Sequence, residues 1–211
     1  GGDPDINPRL RTAVDKAKQA NMPKDNVDRA IKKGTGDLDG VSYEEGLFEG
    51  YGPGGAAILV DILSDNRNRA VQEVRNAFTK SGGNLGETGS VSFMFDRLGR
   101  IDYPADIASA DDVMESAIES GASDVESTDT DHTIYTDIEA FSGCLEYMNG
   151  KYGAPIESEI EWKPQNTILI TDEEKAMKLF RLVDLLEESD DVQKVFGNYK
   201  ISEELFEKLS E

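Results

Sequence analysis

The sequence predicts an α+β protein of three domains. These are an N-terminal helical domain over 1–40, a middle α/β domain made of 41–98 plus 166–211, and a ferredoxin-like βαββαβ domain over 99–165 inserted into the middle one. Two short stripes of helical period open the chain. From Arg100 onward, strand and helix patterns alternate in the split-βαβ order. A strand–helix–strand text at 57–95 is mirrored by a second one from Thr167 to Asn198, which makes the ferredoxin-like segment an insertion between two halves of one domain. The 211 residues, 37% hydrophobic, suffice for two or three such domains, each with a modest core.

In the first segment, Leu10, Ala13, Val14 and Ala17 form one apolar stripe. Pro23 suits a first helical turn, Val27, Ala30 and Ile31 form a second stripe, and Gly34 stops it. Lys16, Lys18, Lys24, Arg29, Lys32 and Lys33 offer cations to a nucleic-acid backbone, but Asp15, Asp25 and Asp28 lie among them and keep the segment nearly neutral. Gln19, Asn21 and Asn26 could read base edges, although polar surface residues are the commoner explanation.

At 50–55 the text GYGPGG places Gly52, Gly54 and Gly55 around Pro53, where the backbone can take positive φ and approach a neighbour closely. A phosphate-cradling loop follows its strand and opens a helix. Here the glycines precede the strand Ala57 to Leu63, so a structural turn is expected, with Tyr51 either stacking on a base or covering the turn. Asp65 or Asn66 then caps a helix with Ala70, Val71, Val74, Ala77 and Phe78 on its apolar side, ending at Gly82 and Gly83. Its polar side carries Arg67, Arg69, Arg75 and Lys80, which fits phosphate oxygens or acidic partners and equally fits a salt-bridged surface. Val91, Phe93 and Phe95 alternate as in a half-buried strand packed on that helix, which is favoured over an RNA-stacking platform.

The inserted segment reads as a strand at RIDY, a helix over Ala110 to Gly121, strands at Asp124 to Ser127 and His132 to Asp137, a helix over Glu139 to Tyr152 and a strand over Ile156 to Trp162. A strand at Thr167 to Ile170, a helix with the stripe Ala176, Leu179, Phe180, Val183 and Leu186, and a strand at Val192 to Asn198 complete the chain. The single histidine, His132, makes no metal cluster and reads as an ordinary surface residue. Asp129 and Asp131 alternate like the start of a calcium loop but lack its glycine and terminal glutamate. Cys144, the single cysteine, reads as core packing and fits a reducing cytoplasm or organelle matrix. No catalytic residue, metal, cofactor or small-molecule substrate is expected, and no apolar run approaches the ~20 residues that span a bilayer.

Charge separates the segments. Residues 99–165 carry 3 Lys/Arg against 16 Asp/Glu, a net −13, and 166–211 carry 6 against 12, a net −6. Residues 1–40 carry 8 against 7 and 41–98 carry 5 against 8, so phosphate contacts are expected in the N-terminal half. The acidic segment suits solubility or basic protein partners, including ribosomal ones.

The succession NPRLRTAVDKAKQANMPKDNVDRAIKKGTG, YEEGLFEGYGPGG, DNRNR, GGNLG, GSVSFMFDR and LFRLVDLLEESDDVQKVFGN closely resembles the YebC/PmpR family over nearly the whole chain. The resemblance implies a non-enzymatic regulator of gene expression. Members are described as DNA-binding transcriptional regulators, mitochondrial relatives as translational activators, and bacterial ones also as relieving ribosomes stalled at proline runs, where rRNA or tRNA would be the partner. It also implies a Lys/Arg-rich segment with a GHSKW-like motif upstream of Gly1-Gly2-Asp3-Pro4, which would make the intact molecule less acidic than its −21. A DNA-binding regulator and a ribosome-associated factor are thus the two leading classes, with an enzyme behind both.

Overall fold

The structure, a computed structural model, describes residues 2–20, 22–35, 43–202 and 205. In chain order its first half holds α1 (Pro8–Gln19), α2 (Lys24–Gly34), β1 (Glu44–Tyr51), β2 (Ala57–Ser64), α3 (Arg67–Lys80), β3 (Asn84–Leu85), β4 (Phe95–Pro104) and α4 (Ala110–Glu119). There follow β5 (Asp124–Ser127), β6 (Asp131–Thr136), α5 (Ile138–Tyr152), β7 (Glu157–Pro164), β8 (Ile168–Ile170), α6 (Glu173–Glu187), β9 (Val192–Gly197) and β10 (Tyr199–Ile201). The mixture of helices with largely antiparallel sheet is the α+β class the sequence predicts.

Local chemistry sets the helix starts. Asn7, Asn66, Ser109 and Asp172 each accept a hydrogen bond from the backbone N–H three residues on, the N-cap arrangement that satisfies one of the donors a helix leaves unpaired. Of the two candidate caps for α3, Asn66 is the one used, its Oδ1 accepting from Arg69 N at 3.1 Å.

The chain divides into two compact units, one of Gly1–Ile31 with Arg97–Trp162 and one of Lys32–Asp96 with Lys163–Glu211. In the second unit a four-stranded sheet runs in the order β3-β1-β2-β9, and a separate parallel pair joins β8 to β10. Ile58, Val60 and Ile62 alternate onto one face of β2 and pack with Val74 and Phe78 of α3 and with Leu179, Leu182 and Leu186 of α6. The two mirrored halves of the sequence meet where β2 and β9 pair, and they pair antiparallel.

Three features of this unit depart from the sequence reading. Strand β1 was hidden because its end at Gly50 falls in the text GYGPGG, which reads as turn, and Gly46 interrupts it. These glycines are required by packing instead, since a Cβ on Gly50 would lie 2.6 Å from Asn84 O and 2.7 Å from Phe78 Cε1. The short strands β3 and β10 likewise carry no pattern long enough to show. Residues 91–95 are not the expected strand, because a 3-10 turn occupies Ser92–Met94. Val91 and Phe95 are buried on either side of it, while Phe93 points outward and is 65% exposed.

In the first unit the order strand, helix, strand, strand, helix, strand is present as expected, with the strands arranged β5-β6-β4-β7. Ile101, Tyr103 and Ile134 from the sheet pack with Val113 and Ala117 of α4 and with Cys144 and Met148 of α5. Cys144 is therefore a core residue, and burial pushes its thiol pKa up, away from reactivity. His132 is not the surface residue the sequence suggested, for it is 3% exposed. Its Nε2 lies 3.2 Å from the carbonyls of Ala105 and Ala108 and its Nδ1 2.8 Å from Ser127 Oγ. Carbonyls only accept, so Nε2 carries the proton, and the imidazole pins the turn after β4 to the end of β5.

Candidate nucleic-acid interface

Helix α3 lies on the sheet through Ala70, Val74, Ala77 and Phe78, all buried. All four of Arg67, Arg69, Arg75 and Lys80 are exposed. At ~100° per residue Arg69 and Lys80 stand on one flank of that stripe and Arg75 on the other, while Arg67, in the first turn, lies in line with the stripe and reaches out over Gly46 of β1. They are not equivalent. Arg69 is engaged within the fold: its Nε donates to Asp191 Oδ2 at 3.0 Å and its Nη2 to Asp191 Oδ1 at 2.7 Å, a bidentate fork, and Nη2 also donates to Asp65 Oδ1 at 2.8 Å. Asp191 is buried at the start of β9, and the Arg69 guanidinium holds its carboxyl below the usual carboxylate range. This clamp ties α3 to the far half of its own unit. Arg67, Arg75 and Lys80, by contrast, make no ion pair with any described residue.

The cations of the N-terminal helices divide in the same way. Lys16 Nζ sits 2.9 Å from Glu157 Oε1 and Lys18 Nζ 3.1 Å from Asp15 Oδ1, exposed pairs of small energetic weight. In α2, where Val27 alone is buried, Lys24, Arg29, Lys32 and Lys33 are exposed. Lys33 Nζ stands 5.5 Å from the centroid of the Tyr43 ring. Its pKa is raised, by a hydrogen bond with Tyr43 above all and further by the charges of Asp65 and Asp190. Asn26 is exposed. Asn21 lies outside the described residues, as does the side chain of Gln19.

The glycine-rich turn is built for packing. Gly54 and Gly55 take φ of 76° and 82°, and Gly52 N–H closes the turn on Ala56 O at 2.7 Å. A Cβ on Gly52 would come within 3.1 Å of Leu179 Cδ1, and one on Gly54 within 2.7 Å of Ile170 Cδ1. The turn is thus filled from behind by α6 and β8. Tyr51 stays 38% exposed, with its hydroxyl donating to Ser90 O at 3.3 Å. Among the described residues no three His, Cys, Asp or Glu side chains stand together as a metal site, and no helix is long and apolar enough to cross a membrane.

A sequence profile described as the TACO1/YebC second and third domain matches residues 43–199, and one for the TACO1/YebC N-terminal domain matches residues 1–37. The chain belongs to the TACO1/YebC family. A probable transcriptional regulatory protein of Rickettsia bellii is 56% identical over 206 residues, covering 98% of this chain and 80% of that protein. One of Rickettsia rickettsii is 52% identical over 204 residues, covering 97% and 81%. The crystal structure of a conserved hypothetical protein from Aquifex aeolicus superposes with a TM-score of 0.86 at 48% identity, covering 96% of this chain and 84% of that one.

One residue of this TACO1/YebC chain that shapes the site is invisible to motif reading. Glu49, in β1, is 2% exposed and accepts backbone hydrogen bonds from Gly89 at 2.7 Å, Val91 at 2.9 Å and Ser92 at 2.8 Å. Burial alone would raise its pKa, but the three donors outweigh it and hold the carboxyl below its ordinary value. An acid amid GLFEGYG carries no sequence signal of burial. Its alternation with Phe48 and its pairing with Leu59, a fully buried residue, would be the only hint.

Proposed function

We propose that this protein is a non-enzymatic, cytoplasmic regulator of gene expression that binds nucleic acid through α3 and the end of α2. The observation that carries the reading is that Arg67, Arg75 and Lys80 of α3 are exposed, without an ion partner among the described residues, on a helix locked from behind by its core stripe and by the Arg69–Asp191 fork. Unpaired cations on a fixed helix suit phosphate oxygens, whereas cations neutralised by acids would not. The Rickettsia relatives are named probable transcriptional regulatory proteins, which supports transcriptional regulation, and DNA binding is the first form we give this reading. In domain terms we take 1–40 as a helical domain, 41–98 with 166–211 as the nucleic-acid-contacting domain, and 99–165 as an inserted ferredoxin-like domain.

The net −13 of residues 99–165 favours a second form, a ribosome-associated translation factor whose acidic domain meets basic ribosomal proteins while α3 contacts rRNA or tRNA. Co-sedimentation with ribosomes in lysate, before and after DNase, separates the two. Migration with ribosomal particles that survives DNase makes translation the primary role, and protein left at the top of the gradient returns it to DNA. In either case Arg67→Glu with Arg75→Glu weakens nucleic-acid association and flattens its salt dependence. Unchanged affinity and slope would remove α3 from the interface.

A further inference from the structure

We propose that Tyr51, Asn84 and Phe93 form a stacking site for one or two unpaired bases of a single-stranded nucleic acid, with Lys80 at the end of α3 ahead of the loop that packs on Tyr51, a proposal that rests on the nucleic-acid reading above. These residues come from four separate places in the chain, and the second unit gathers them at one end of its sheet. Tyr51 is the last residue of β1 and pairs directly with Asn84 of the edge strand β3. Its carbonyl is packed on Gly83, where a Cβ would stand 2.6 Å away, so the loop leaving Lys80 at the end of α3 runs directly against Tyr51. Its hydroxyl reaches across to Ser90 O, and three residues later Phe93 emerges 65% exposed.

An exposed phenylalanine on a floppy loop would mean little, but Phe93 is not on one. The buried carboxylate of Glu49 takes the N–H groups of Gly89, Val91 and Ser92, and Val91 and Phe95 are anchored in the interior on both sides, so the 3-10 turn presents its ring from a fixed backbone. A preformed aromatic surface stacks a base at little ordering cost, and stacking tolerates any sequence because every base has a π face. Charge points to the same class of occupant. Of the 4 Lys/Arg in residues 67–94, Arg69 is engaged by Asp65 and Asp191, but Arg67, Arg75 and Lys80 make no ion pair with any described residue, in a chain of net −21, which suits a phosphate backbone. Paired bases in a duplex keep their faces covered by their neighbours, so this surface distinguishes single strands from duplex.

The test measures binding of the whole protein to a labelled 12-nucleotide uridine RNA, the matching thymidine DNA and a 12-base-pair DNA duplex, by fluorescence anisotropy over a series of salt concentrations. Phe93→Leu is expected to weaken single-strand binding about 5- to 100-fold while leaving the salt slope and duplex binding unchanged, and Phe93→Trp is expected to restore it. Single-strand affinity unchanged in Phe93→Leu overturns the stacking site and leaves the phosphate contacts of α3 standing, with the exposed ring then assigned to a protein partner. Equal losses for single strand and duplex also overturn it. Wild-type protein that binds no oligonucleotide at all overturns this proposal together with the reading it rests on.

Discussion

Helices α3 and α4 perform the same structural task in their two units and are finished in opposite ways. Each is capped by a side chain, Asn66 or Ser109, and each buries one stripe on its own sheet, Ala70, Val74, Ala77 and Phe78 in one case and Val113, Ser116 and Ala117 in the other. Outside those stripes α3 exposes Arg67, Arg75 and Lys80, and α4 exposes Asp111, Glu115 and Glu119 with Met114 and Ile118 among them. The inner stripe decides where a helix goes, and the outer one is free to carry a charge pattern that packing does not dictate. The same contrast runs through the buried acids. Glu49 and Asp191 in the α3 unit are held ionised by donors, whereas burial raises Glu161 in the α4 unit despite Arg100 nearby.

Mutations can sharpen that comparison, beginning with the cores. Phe78→Ala removes a fully buried ring that also abuts Gly50 and Gly83, and is expected to cost about 4 kcal/mol in urea denaturation, against about 2 kcal/mol for Val113→Ala under α4. Equal losses would mean that the two helices rest on cores of similar depth.

Next in size, Glu49→Gln is expected to cost about 2–3 kcal/mol at neutral pH, since a carboxylate accepting three backbone N–H bonds gives way to a neutral amide. The folded pKa of Glu49 lies below its unfolded one, so its contribution is present above the ordinary carboxylate value and is lost as pH falls through the folded value. The difference between wild type and Glu49→Gln should therefore shrink on acidification and vanish below the carboxylate range. A difference independent of pH would show that the lost shape of the site, and not its charge, matters.

Glu161 supplies the opposite sign with a smaller amplitude. Its folded pKa is raised, by burial first, so it favours the folded state below that value and weakens it as pH rises through the interval between the unfolded and folded values. Glu161→Gln should then gain on wild type as pH climbs through the upper carboxylate range, read as a shift in melting temperature. A shift toward lower melting temperature over that interval would assign control to the Arg100 pair, at 3.3 Å, instead of to burial.

The smallest effect on stability belongs to the exposed cations themselves. Arg67→Glu with Arg75→Glu should leave the melting temperature unchanged while nucleic-acid affinity falls, and Arg69→Glu should lower the melting temperature because it removes the fork on Asp191. Identical thermal behaviour of the two variants would erase the distinction drawn between Arg69 and its neighbours.

Most helices and the strands of the inserted segment were legible because their apolar spacing is local: residues three and four apart, or two apart, declare themselves without knowing what they pack against. The candidate cations were legible as a set on the same ground. Which of them are engaged was not, since Arg69 meets Asp191 across 122 residues of sequence and Lys16 meets Glu157 across 141. Strand β1 stayed hidden because Gly50 is needed by Phe78 and Asn84, and Gly46 by Ile62, partners the chain supplies only after folding. Phe93 was assigned to a core strand because alternation cannot distinguish a strand from a 3-10 turn anchored at both ends, and the anchor, Glu49, lies more than 40 residues away. By itself the sequence determined most of the helices, the strands of the inserted segment, the family and the segregation of charge. The tertiary structure alone decided which charges pair, which glycines carry packing and which aromatic faces solvent, because each of those is settled by a neighbour distant in the chain.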